Sequence, residues 1–306
     1  MTSAFLSALG SRIAERWLTL LALPGLLFLV ALATSLVLGH EHWADAGRLR
    51  DRLDALAASP ASRSTGTVAL VAVGVLAGAA VTGAAARSLG TAVELLWCAE
   101  PRGPLLRYLA DRRSRRWRAA DAEFRTALVA AGRARIEGAD DADRLAGVAE
   151  RRHAERGRIA AAPPRHPFGM GDRLAAPGQR LWRAHRLELG SAWPHLWLLA
   201  GDGTRAELQA ARREFGASAR LCAWGAGYLV LGLWWWPAAL VGAVAAVSGV
   251  RRGRAAAEAF AELTEALADL HVRDLAASLG IPCEGAVDRV VGERLTRALR
   301  KEPEAA

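Results

Sequence analysis

Lysine is all but missing from this 306-residue chain: Lys301 is the single example, and the other 39 basic residues are arginines. With the heavy alanine content, that bias points to a high-GC genome, in which arginine is the default cation. Cysteine is scarce too. Cys98, Cys222 and Cys283 lie far apart, odd in number and in no CxxC or CxxH spacing, which argues against a disulfide framework and against a structural zinc site. The chain is 52% hydrophobic and 23% charged, which excludes a disordered or collagen-like polymer. What stands out instead is where charge is absent.

Three stretches carry no charged residue. Trp17 to Leu38 holds 22 residues, about 33 Å as a helix, enough for a hydrocarbon core of about 30 Å. Arg12 and Arg16 before it and Ala31-Leu32-Ala33 within it resemble a signal peptide, but the apolar run continues through Leu36-Val37-Leu38. Pro24-Gly25 inside it predicts a loosened turn. Thr65 to Ala86 is the second run and carries Gly74 and Gly78, the spacing that lets helix backbones approach closely.

The third run, Leu221 to Val250, has 30 uncharged residues, about 45 Å as one helix and half again too long for the hydrocarbon. Trp234-Trp235-Trp236-Pro237 sits at its middle. Tryptophan favours the headgroup level, and the residue before a proline is disfavoured in helix. The expectation is two short arms, Ser218–Leu233 and Ala238–Val250, packed through small residues such as Gly227 and Gly242. One long tilted helix is the alternative.

Charge asymmetry orients the runs, since arginine accumulates on cytoplasmic flanks. Residues 40–64 carry four arginines and four acids, whereas 87–217 carry 24 arginines and 16 acids, a net of +8. Arginines flank both ends of the third run (Arg212, Arg213 and Arg220; Arg251, Arg252 and Arg254), so both ends want the cytoplasm and only a fold-back satisfies that. The expected architecture is all-α: an integral membrane protein with four transmembrane helices, the last two a short hairpin, and a helical cytoplasmic domain. Its segments are a cytoplasmic N-terminus (1–16), a first span (17–38), an extracytoplasmic loop (39–64), a second span (65–86), a basic helical domain (87–217), the hairpin (218–250) and cytoplasmic C-terminal helices (251–306). The expected site is the bacterial cytoplasmic membrane, with both termini inside.

On the cytoplasmic side, Pro101 and Pro104 precede an amphipathic helix marked by Leu105, Leu106, Leu109, Trp117, Phe124 and Leu128. Arg102, Arg107, Arg112, Arg113, Arg115, Arg116 and Arg118 against the single Asp111 give it a local +6, attractive to anionic headgroups at about 1 kcal/mol per residue. Nucleic acid is a weaker reading, because no recognised binding module surrounds the patch. Asp140, Asp141 and Asp143 are expected to start a helix and not to ligate calcium, and residues 163–172 are expected to form a hinge. Trp193-Pro194-His195-Leu196-Trp197 is too short to span and reads as core or membrane-surface contact, with His195 structural. Thr204 and Glu207 form a capping-box signature. Near-helical apolar spacing then predicts helices over 254–279, stopped by Gly280 and Pro282, and around Val287 to Leu299.

Three of these strings, Trp193 to Trp197, Trp234 to Pro237 and Leu270 to Ala276, resemble a family of four-helix multi-pass membrane proteins from high-GC actinobacteria. The likeness covers about the last 140 residues and implies the topology; the family's activity is unassigned, so no catalytic residue follows from it. No nucleophile–base pair, metal spacing or phosphate loop emerges, so no enzyme activity, cofactor or metal is expected. The expected function is a membrane-embedded scaffold that presents a basic helical domain to anionic lipid, to a second copy or to a membrane or cytoplasmic protein. The alternative is a small transporter or oligomeric channel component, which the lack of ionisable residues within the apolar runs disfavours. Site residues expected beside the seven arginines are the interfacial aromatics Trp193, Trp197, Trp234, Trp235 and Trp236, and the packing glycines Gly74, Gly78, Gly227 and Gly242.

Overall fold

The computed structural model describes residues 23–58, 64–283 and 285–302. The N-terminal part of the first apolar run, through residue 22, and Arg63 of the following loop lie outside them. Among the described residues there are ten helices and no strand: α1 (Leu23–Leu38), α2 (Ala46–Ala57), α3 (Thr65–Trp97), α4 (Pro104–Glu137), α5 (Ala142–Ile159), α6 (Gly169–His185), α7 (Leu189–Leu199), α8 (Asp202–Leu231), α9 (Trp236–Ser278) and α10 (Arg289–Arg300). The all-helical expectation is met. The chain divides into two compact units, the first made of residues up to Glu94 with Gly216–Arg252, the second of Leu95–Phe215 with Gly253 onward.

In the first unit the longest apolar run reverses between α8 and α9. Short i to i+3 bonds close the turn, Leu233 N to Val230 O and Trp234 N to Leu231 O at 3.1 Å each. Pro237, which has no N–H to give, falls in the first turn of α9, where none is needed. The two arms then run backbone to backbone. A Cβ on Gly242 would stand 2.6 Å from Leu229 N, one on Gly225 2.8 Å from Ala246 N, and one on Gly249 2.6 Å from Cys222 Sγ. Phe28 of α1 packs on Trp224 and Tyr228 at ring separations of 5.8 and 5.2 Å, with Gly227 making room beside it at 3.3 Å. α1 meets α3 at Gly25, whose Cβ would overlap the Ala79 carbonyl. Gly78 makes an ordinary contact with Leu29, whereas Gly74 faces open space.

Several elements differ from the expectation. α3 runs past Ala86 to Trp97, as the apolar stretch from Leu89 to Trp97 leads one to expect, but α9 continues the second hairpin arm into the expected helix 254–279 without a break, because Gly253 is seated against Trp97 and the flanking Arg and Ala are strong helix formers. α2 was not expected; Asp45 caps it by accepting from Arg48 N at 3.0 Å. The Thr204 capping box does not form, since α8 already begins at Asp202 and Arg205 N bonds Gly201 O.

In the second unit α4 and α5 form an antiparallel pair joined through Gly138, which takes the left-handed conformation (φ 66°) that ends α4. The pairs Phe124 with His153 and Asp121 with Arg156 set the register. Leu181, Leu187, Leu196, Leu208, Leu267, Leu275 and Leu295 build the core on which α6 to α10 converge. α10 docks through Gly292, whose Cβ would collide with the His185 carbonyl, and through Thr296, which donates to Arg186 O and accepts from Glu188 N at 3.0 Å. The expected hinge at 163–172 is tied down instead. Trp117 Nε1 donates to Ala160 O at 2.9 Å, Ser114 Oγ to Pro164 O at 2.9 Å, and Arg113 Nη1 to His166 O at 3.0 Å.

Gly242→Leu places a side chain where backbone already stands, and overpacking of this kind costs about 1–3 kcal/mol. Gly74→Leu meets nothing. Thermal unfolding of the purified variants in detergent should show a lowered midpoint for Gly242→Leu and an unchanged one for Gly74→Leu.

Candidate functional site

The first unit has two chemically different ends. At one, the turn after α1 meets the hairpin tip: Trp235 Nε1 donates to Trp43 O at 3.1 Å, and the Trp43 and Trp236 rings lie 4.9 Å apart. Trp234 projects beside them, 53% exposed. Trp43 escaped the sequence reading because it stands alone in a polar loop. At the other end, Arg87, Arg220 and Arg252 line one shallow cleft with Pro24 and Trp224. Between the ends the surface is apolar and open. Leu70, Val73 and Val81 of α3 are 65–75% exposed, and Leu27, Leu36, Leu240 and Val244 are exposed likewise. Contiguous apolar surface of this extent on a folded chain marks a partner or a membrane.

The seven arginines expected to act together are divided by the helix that carries them. Arg107, Arg115 and Arg118 share one face of α4, at spacings of eight and three residues, and all three are exposed. Arg107 Nε donates to Pro101 O and Arg118 Nε to Ser114 O, at 3.3 Å each, which leaves their charge uncompensated. Arg102, before the helix, is paired with Glu100 at 2.7 Å. Arg112 and Arg116 sit on another face, one turn apart. Arg113 points inward, paired with Asp172 and donating to Ile159 O at 2.8 Å. It is a fold-holding residue; nothing in its immediate sequence separates it from Arg112, because its partners lie 46 to 59 residues away.

Trp193 and Trp197 rest on the second unit's core, half-buried, with Trp193 6.2 Å from Phe260 and 6.0 Å from Trp197. Their outer edges line an open groove of about 850 Å³ with Leu198 and Arg213. His195 is exposed. Asp140, Asp141 and Asp143 stand at the start of α5, where Asp141 pairs with Arg144 at 2.8 Å.

Two carboxylates of the second unit are held in their charged form. Burial acts to raise Asp172, but the N–H groups of Arg165 and His166, the His166 ring at 2.9 Å and the Arg113 guanidinium together hold its carboxyl below the ordinary range. Glu188 is lowered to about 2, first by its bond from Arg300 at 2.7 Å and then by Ser191. This pair fastens α10 to the start of α7.

No protein-family model matches the chain, and neither the curated proteins nor the solved structures give a match.

A carboxylate whose folded pKa is depressed contributes stability that is present above its unfolded pKa and lost as pH falls through the folded one. For Glu188 that window runs from about 4.5 down to about 2. The midpoint of thermal unfolding should fall as pH drops through this range, and Glu188→Gln should lower it at pH 7 while flattening its slope between pH 5 and 2.

Proposed function

We propose that this chain is a multi-pass protein of the bacterial cytoplasmic membrane, spanning it four times with both termini inside, and that it acts as a scaffold. The observation that carries this reading is the exposed apolar surface of the first unit, bounded by tryptophans at one end and by Arg87, Arg220 and Arg252 at the other. Such a band is what a bilayer requires: apolar side chains against hydrocarbon, indole rings at one headgroup level and arginines at the cytoplasmic one. α3 is the one helix among the described residues that is long and apolar enough to cross alone, and only 11% of its most apolar stretch is buried. The arms from Arg220 to Trp234 and from Pro237 to Arg251 are each about 21 Å long, so they reach across by snorkelling of their arginines and local thinning.

On this topology the loop holding Trp43 and α2 lies outside, and α4 follows the second span within the cytoplasm. The face formed by Arg107, Arg115 and Arg118 is then the part of the basic domain that meets anionic headgroups. A second copy of the chain, or a membrane or cytoplasmic protein, completes the scaffold, and the open Gly74 face of α3 is where another helix could approach closely.

Reporter fusions after residues 50, 150 and 300 test the topology. An outside signal at 50 with inside signals at 150 and 300 is expected, and an outside signal at 300 rejects the hairpin. Hydrogen exchange of the whole chain in lipid nanodiscs tests the arginine face. α4 should be protected in anionic discs relative to neutral ones. The protection should fade as salt shortens the Debye length below about 8 Å, and it should be lost when Arg107, Arg115 and Arg118 are replaced by Gln.

A further inference from the structure

Within the second unit, Arg112, Arg113, Arg116, Arg158, Arg173 and Arg254 line one cleft of about 350 Å³. They come from α4, α5, α6 and α9, so the cleft is made by tertiary folding and not by a run in the sequence. No carboxylate lines it. Arg113 alone has an acidic partner, Asp172, while Arg112, Arg116, Arg158 and Arg254 have none among the described residues. Like charges gathered in this way repel one another, and a bound anion relieves that repulsion.

The cleft is also shaped for a particular anion. A Cβ on Gly169 would lie 3.1 Å from Arg173 Nη1 and 3.3 Å from Arg113 Nη2, so two guanidinium tips close on the space that this glycine leaves open. Gly169 is the first residue of α6, and no side chain caps that helix, whose N–H groups bear the positive end of the dipole. Arg113 is held by Asp172, Ile159 O and His166 O, so it forms a fixed wall of the cleft, and the uncompensated charge comes from Arg112, Arg116, Arg158 and Arg254. Ile159, Pro167 and Phe168 supply an apolar floor. Guanidinium forks match the paired oxygens of phosphate better than a point charge does, and several forks around one opening favour a group with two or more negative charges.

We propose that this cleft binds a doubly charged phosphoryl group, carried either by a soluble phosphate ester or by a lipid headgroup of the phosphatidic acid kind. The site differs from the outward face of Arg107, Arg115 and Arg118, and it does not rest on the membrane topology: the cleft lies wholly within the second unit.

The test uses the full-length chain in detergent and sodium pyrophosphate as the soluble probe, read by titration calorimetry. Two double variants remove the same charge, Arg158→Gln with Arg254→Gln in the cleft and, as an outward control apart from both arginine faces, Arg133→Gln with Arg135→Gln near the end of α4. The cleft variant should bind pyrophosphate weaker by about tenfold or more, while the outward variant binds as the parent does. For the lipid source, native mass spectrometry of protein released from nanodiscs containing phosphatidic acid counts retained lipid, which the cleft variant should lose and the outward variant keep. Binding in the first arm only assigns a soluble ester, and in the second only a headgroup. If neither probe distinguishes the two double variants, the cleft is not an anion site and the proposal fails, whatever the reporter fusions give. Should the double variant lose its helical circular dichroism, the single Arg254→Gln is read in its place.

Discussion

Pro237 sets the condition that the rest of the first unit satisfies. It has no backbone donor and disfavours helix at the residue before it, so the run of 30 uncharged residues breaks most readily there and turns back on itself. Once reversed, the arms must lie close enough to exclude voids, which is possible only where Gly225, Gly242 and Gly249 let backbone meet backbone. α1 then has a flat surface to lean on, with Phe28 between Trp224 and Tyr228. The tip carries its tryptophans to Trp43. One steric restriction thus organises three helices and an aromatic end.

The second unit depends on a different device, side chains that bond to the carbonyls of an irregular segment. Residues 160–168 lack helical partners for their backbone, and Trp117, Ser114 and Arg113, projecting from successive turns of α4, take up Ala160, Pro164 and His166 carbonyls. Asp172 answers from the other side by accepting the Arg165 and His166 N–H groups at 2.9 and 3.0 Å. A stretch with three prolines becomes an ordered wall, and its Pro167–Phe168 end forms one side of the arginine cleft.

How much of this could be read beforehand follows from the range of each interaction. The apolar runs, the turn at Trp234–Pro237, the stop at Gly280 and the basic helix behind Pro104 are local patterns, and each was legible. α6 was not, because Gly169, Gly171, Pro177 and Gly178 all argue against helix, and only burial of Met170, Pro177 and Leu181 outweighs them. α2 is hidden because Leu49, Leu53 and Leu56, although at helical spacing, stand among charged residues that give the segment the composition of a polar loop. The arginines of α4 show the limit most plainly. Arg112, Arg113 and Arg116 look alike in sequence, yet one is spent on Asp172 and the others face an opening completed by Arg158 and Arg254.

The bias against lysine has a chemical consequence for α10. Guanidinium groups do not react with the acylating reagents that label amines, and Lys301 holds the only side-chain amine of the chain. It sits at the C-cap of α10 in the left-handed conformation, exposed, one residue beyond the Arg300 that grips Glu188. An amine-directed dye therefore places one side-chain label on the helix whose docking depends on Gly292 and Glu188, and its emission gives an optical view of that helix leaving and returning to its seat.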